Sequence, residues 1–142
     1  MYFFDEPIGA QMQDLPMADL LRFLPFGYLL TILIETPVLL AGLPGKLSFR
    51  QKLLCGVWLT ACTYPIVVLV LPAVSFGAPR WQYLAVAETF APAAECFLFW
   101  IAYKDRIAGR DLVQAFVAII IANLASFGFG EVLNHYRWFG LF

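Results

Sequence analysis

The stretch Ala85 to Tyr103, AVAETFAPAAECFLFWIAY, decides how this chain is read. It is long and apolar enough to cross a bilayer, yet it holds Glu88 and Glu95 with Pro92 between them. A helix turns about 100° per residue, so the i, i+4, i+7 spacing of these three positions places them on one stripe. A carboxylate facing lipid is costly. The stripe is therefore expected to face other protein or a water-filled space, and a functional or buried role for it is the first hypothesis to test.

The rest of the chain supports a membrane setting. Of its 142 residues 62% are hydrophobic and 13% charged, with a mean hydropathy of +0.79, whereas a soluble domain carries about 25% charged residues. A bilayer core needs about 20 apolar residues per helix. The sequence supplies four such runs, at about residues 20–43, 53–74, 83–103 and 112–133, joined by short connections. The expected fold is all-α: a polytopic bundle of four transmembrane helices in a single integral membrane domain spanning residues 1–142, with no separate soluble domain.

The segment before the first run mixes Tyr2, Phe3 and Phe4 with Asp5, Glu6, Asp14 and Asp19. It lacks the basic start and small-residue cleavage site of a signal peptide, so it is expected to be retained as an interfacial arm. The tail His135, Tyr136, Arg137, Trp138 and Phe139 reads as an interfacial aromatic anchor. The net charge of −1 is uninformative as a total, and no strongly basic face exists, which argues against nucleic-acid binding.

Orientation follows from the bases. Lys46, Arg50 and Lys52 follow the first run and Lys104, Arg106 and Arg110 the third, against Arg80 alone between the second and third. The positive-inside rule then puts those two connections in the cytoplasm and both termini on the outer side of the plasma (inner) membrane. Arg22 and Arg137 lie near the outer ends and oppose this slightly.

The two halves read as related hairpins. Sliding the chain by 60 residues lays Glu35 on Glu95, Lys46 on Arg106 and Arg50 on Arg110; a slide of 63 lays Thr60, Thr63 and Tyr64 on Asn123, Ser126 and Phe127. Such halves form a parallel repeat about an axis along the membrane normal. Any two apolar hairpins with basic loops also align after a fashion, so duplication stays one of two readings. If it holds, the carboxylates of Glu35 and Glu95 face one another across a pseudo-two-fold axis.

The candidate site residues lie inside the runs. Tyr28, Thr31 and Glu35 form a polar stripe that ends at Pro37; Thr60, Thr63 and Tyr64 precede Pro65; Asn123 and Ser126 share a face of the fourth run. Proline lacks the donor its helix needs, so Pro37, Pro65 and Pro92 are expected to free backbone carbonyls, Leu33 supplying the one before Pro37. Glu35 and Glu95 sit at similar depth, about 12 Å from the cytoplasmic boundary at about 1.5 Å per residue. Glu88 and Glu131 lie nearer the outer face. Ala122, Ser126 and Gly130 form a small-residue ridge suited to close helix approach.

No Lys, Arg or His lies within the four apolar cores. The intramembrane carboxylates must therefore be protonated, solvated, or balanced by a proton, a metal or alkali ion, a cationic substrate or a partner's base. Against this stands the plainer reading in which a neutral carboxyl bonds Asn123, Thr63 or a freed carbonyl and holds helices together at about 1 kcal/mol per contact.

Cys55, Cys62 and Cys96 read as small packing residues, because no Cys-x-x-Cys or Cys-His spacing points to a metal. No hydrolase, metalloprotease or phosphate-loop motif is present, and no intramembrane His offers a haem ligand. No enzyme activity and no cofactor are expected.

Two functions remain open. One is a small transport or channel module, homo-oligomeric, with Glu35, Glu88 and Glu95 as a proton or cation site and Thr63, Tyr64, Asn123 and Ser126 as supporting ligands. The other is a non-catalytic subunit that scaffolds or docks partner proteins in a membrane complex, its carboxylates serving as interhelical hydrogen-bonding groups.

Overall fold

A computed structural model describes residues 17–74 and 78–135. Residues 1–16 of the expected acidic arm and most of the aromatic tail lie outside the described residues; Asp19, at the end of that arm, falls within the first helix. Helix α1 spans Met17–Gly42 and α2 Phe49–Pro65. A π-helical turn, Ile66–Val70, and the short α3, Leu71–Val74, extend α2; α4 spans Arg80–Tyr103 and α5 Arg110–His135. All four long segments are long and apolar enough to cross a membrane.

Several helix ends are set by local chemistry. At the start of α2 the Ser48 hydroxyl accepts the Gln51 N–H and the Gln51 side chain accepts the Ser48 N–H, a reciprocal cap that satisfies two otherwise orphaned donors. The helix thus starts at Phe49, four residues before the apolar run at 53, and takes Arg50 and Lys52 into its first turns. Lys52 reaches back, and its ammonium donates to the carbonyl oxygens of Leu43 at 2.6 Å and Leu40 at 3.4 Å. Gln114 donates to the carbonyl of Gly42 at 3.0 Å. Together they satisfy carbonyls that the end of α1 leaves without intrahelical partners.

Pro65 stops the regular ladder of α2. It has no N–H to donate, and the chain re-closes with the Leu71 N–H on the Ile66 carbonyl, one residue wider than an α-turn. At the start of α5, Gly109 has φ +59°, a conformation that a side chain would strain.

The helices form an up-down-up-down ring. Helix α1 packs on α2 and α5, and α4 packs on α5 and α2. This leaves α1 and α4 on one diagonal and α2 and α5 on the other. The two basic loops share one end, where Lys46 pairs with Asp111 at 2.5 Å. That pair is largely exposed and contributes little.

The apolar core lies on the loop side of the carboxylates. Leu39, Leu43, Leu59, Phe99, Ile107 and Ile119 are fully buried, with Cys55, Ala115, Ala118 and Ala122 filling the space between them. Close helix approach makes this possible. A Cβ on Gly56 would lie 2.4 Å from the Thr36 hydroxyl and 3.0 Å from its Cα, and one on Gly42 would lie 2.7 Å from the Ala118 Cβ. Large apolar side chains such as Leu33, Leu54, Phe97, Val113 and Leu124 cover the outside, as lipid contact requires. Of the cysteines, Cys55 is buried and Cys96 half-buried, but Cys62 is exposed rather than packed inside.

Candidate functional site

The candidate site is a polar layer across the bundle, with a cavity above it on the side away from the basic loops. Glu35 and Glu95 are each only 2% exposed. Glu35 accepts the Thr60 hydroxyl on Oε2 at 2.8 Å and the Ser126 hydroxyl on Oε1 at 2.7 Å. Glu95 accepts the Thr63 hydroxyl on Oε1 at 2.8 Å and the Asn123 amide on Oε2 at 2.7 Å. All four carboxylate oxygens are thus met by neutral donors, and each carboxylate ties its own helix to two others.

The spacing within each helix explains why these donors arrive together. Thr60 and Thr63, three residues apart, share a face of α2 but diverge by about 60°, so each reaches a different carboxylate. Asn123 and Ser126 do the same on α5. Each carboxylate takes one donor from its own hairpin and one from the other: Thr60 and Ser126 for Glu35, Asn123 and Thr63 for Glu95.

The hydroxyls have a second choice. Thr60 also lies 2.8 Å from the Gly56 carbonyl, Thr63 3.1 Å from that of Leu59, and Ser126 2.9 Å from that of Asn123. A hydroxyl has one proton, so turning it to the helix carbonyl leaves its oxygen free to accept from the carboxyl group. The layer is therefore satisfied whether either glutamate is ionised or protonated, with no movement of heavy atoms. The Asn123 amide differs, because its two N–H groups serve Glu95 and the Ile119 carbonyl at once.

Above the layer is a cavity of about 160 Å³ to which all four long segments contribute. Glu35, Glu95 and their four donors line its floor; Glu88, Thr31 and Tyr64 line its sides, and Val67, Ala87, Ala91 and Phe127 are the apolar part of the wall. The floor residues Glu35, Thr60, Thr63, Glu95 and Asn123 are buried and Ser126 is half-buried, whereas on the wall Ala87 is buried and Thr31, Tyr64, Val67, Glu88, Ala91 and Phe127 are half-exposed. Exposure thus rises away from the basic loops. The cavity is a cup, closed toward those loops by the apolar core.

Glu35, Glu88 and Glu95 of the expected proton or cation site and the supporting residues Thr63, Tyr64, Asn123 and Ser126 all line this cup. Glu88 and Glu95 reach it from one stripe of α4, as the helical spacing requires, and Glu35 joins them from α1. Glu88 makes no hydrogen bond or ion pair among the described residues. Pro37, Pro65 and Pro92 do not line the cup; Pro37 is exposed, as are Leu33 and Ala61, whose carbonyls Pro37 and Pro65 release, whereas Pro92 releases that of Glu88. Tyr28 is engaged elsewhere, donating to the Val57 carbonyl at 3.2 Å.

Thr60 and Thr31 belong to the site without having been singled out as ligands. The signal for Thr60 was its i, i+3 relation to Thr63; for Thr31 it was its place on the Glu35 stripe. The apolar wall residues carried no signal, since Val67, Ala87 and Ala91 look like any other residue of an apolar run. Among the described residues no group of three His, Cys, Asp or Glu is placed to hold a metal ion.

No protein-family model matches this chain, and neither a curated protein nor a solved structure shows significant similarity to it, so its residues and their geometry carry the functional reading.

Proposed function

We propose that this chain is a non-catalytic integral membrane subunit whose intramembrane carboxylates act as interhelical hydrogen-bonding groups, presenting a rigid four-helix body to partner proteins. The observation that carries this reading is the saturation of both carboxylates. Every oxygen of Glu35 and Glu95 accepts a neutral donor from another helix. On the loop side the helices close over a packed apolar core of Leu39, Leu43, Leu59, Phe99 and Ile119.

The exchange of donors between hairpins favours an internal duplication. Under a slide of 60 to 63 residues Glu35, Thr60 and Ser126 become Glu95, Asn123 and, with the direction of exchange reversed, Thr63. The common placement of the basic loops at one end supports, through the positive-inside rule, our reading of that end as cytoplasmic and of the termini as outside a plasma (inner) membrane.

The test is reconstitution. Proton and alkali-ion flux into liposomes holding the purified chain is expected to equal that of protein-free liposomes, while truncation of either glutamate to alanine lowers unfolding stability. A specific observation favours a second reading, a proton or cation transport module: the cup brings three glutamates together with no Lys, Arg or His in its described lining. Flux that Glu95→Gln abolishes would displace the first reading in favour of the second.

A further inference from the structure

The cup has three properties that are separate in origin: its volume, the charge of its wall, and its apolar lining. From their combination we propose that it binds a small organic ammonium ion, entering from the end opposite the basic loops. The proposal gives the cation of the second reading a chemical class and rests on that reading. The role of the polar layer in holding the helices stands without it.

Volume comes first. A single water needs about 10–15 Å³, and an engineered cavity of about 150 Å³ admits benzene. At about 160 Å³ the cup has room for a molecule of that size. A bare ion or one water would leave much of the wall without contact atoms.

Charge decides the sign. Glu35, Glu88 and Glu95 line the cup and no described Lys, Arg or His does. Glu35 and Glu95 are already met by two donors each, which leaves Glu88, half-exposed near the opening, as the carboxylate with its acceptors unused among the described residues. An ammonium group carries three donors and no acceptor, which suits such a group. No described trio of side chains is placed to chelate a metal.

The apolar lining decides the rest of the ligand. Val67, Ala87 and Ala91 offer aliphatic surface, and Tyr64 and Phe127 bring aromatic rings to the same space. Rings of this kind attract cations as well as hydrocarbon. The ligand that uses every wall is a primary ammonium on a compact apolar body of about six heavy atoms.

The experiment uses the full chain in phosphatidylcholine nanodiscs, unfolded thermally with benzylammonium or butylammonium chloride, against benzyl alcohol, butanol and sodium chloride at matched ionic strength. A saturable rise in Tm of about 3 °C is expected for the ammonium salts alone. Glu88→Gln should weaken the apparent affinity about tenfold, and Ala91→Leu, which fills the apolar wall and leaves the carboxylates in place, should abolish it. No saturable rise with either salt, an equal rise with the alcohols, or unchanged binding in Ala91→Leu would overturn the proposal. If Glu88→Gln does not fold, Ala91→Leu decides alone. Uptake of radiolabelled butylammonium by liposomes separates the two claims: binding without uptake keeps the site and removes transport, whereas uptake of alkali ions without ammonium binding does the reverse.

Discussion

Ser126 on α5 donates its hydroxyl to Glu35 on α1 at 2.7 Å, joining residues 91 positions apart in the chain. This bond closes the ring of helices, because α1 and α5 are the first and last of the four. A double-mutant cycle on Ser126→Ala and Glu35→Ala is expected to give a coupling of about 0.6 kcal/mol, the mean for interhelical hydrogen bonds in lipid, and no more than about 1.7 kcal/mol. Additive losses in unfolding measured in mixed micelles would mean that the bond is not made.

Replacing either glutamate by glutamine should be nearly silent for stability. A glutamine amide offers an acceptor oxygen and an NH2 group with two N–H donors. One of these can meet the hydroxyl of Thr60, Ser126 or Thr63 once that hydroxyl has turned to a helix carbonyl and accepts instead. Glu35→Gln and Glu95→Gln are expected to unfold within about 0.5 kcal/mol of the native chain. A loss above about 2 kcal/mol in either would show that the ionised form is required for the fold.

Truncation should separate the two carboxylates. In Glu35→Ala both donors, Thr60 and Ser126, keep a backbone acceptor, at 2.8 and 2.9 Å. In Glu95→Ala one N–H of Asn123 loses its acceptor, since the other already serves Ile119. An orphaned buried donor costs about 1–3 kcal/mol, so Glu95→Ala is expected to be the more destabilising by about that amount. Equal losses in paired chemical unfolding experiments would contradict this account.

Thr36 offers a gain. Its hydroxyl is buried and has no hydrogen-bond partner among the described residues, pressed into the space that the missing side chain of Gly56 leaves. Thr36→Val removes the unsatisfied group at nearly constant volume and is expected to stabilise the chain by about 1 kcal/mol. A fall in Tm would reveal a partner for that hydroxyl.

Gly56 should tolerate nothing larger. A Cβ there meets the Thr36 hydroxyl and backbone together, so even Gly56→Ala must push α1 from α2. A loss of about 1–3 kcal/mol is expected. Gly45, with open space around its Cβ position, is the control, and Gly45→Ala should change Tm little. Similar behaviour of the two variants would count against the tight crossing.

Much of this protein is legible in its sequence. Four apolar runs with 13% charge leave few alternatives to a membrane bundle, because length and hydropathy alone set which segments suit a bilayer. The 100° periodicity put Glu88 and Glu95 on one stripe, and both do line the cup. The donor pairs Thr60 with Thr63 and Asn123 with Ser126 were visible for the same reason. Helical geometry is local, so spacing in the chain is enough to read it.

Tertiary structure decided the rest. Nothing in the spacing of Ser126 says that it meets Glu35 rather than Glu95, nor that Lys52 turns back to the carbonyls of Leu40 and Leu43 instead of serving a loop. Nor does an alanine in an apolar run announce that it lines a cavity. Those outcomes depend on which helices lie side by side and how closely, which side-chain size sets at crossings such as Gly56 with Thr36. Contacts between residues far apart in the chain exist only once that packing is formed.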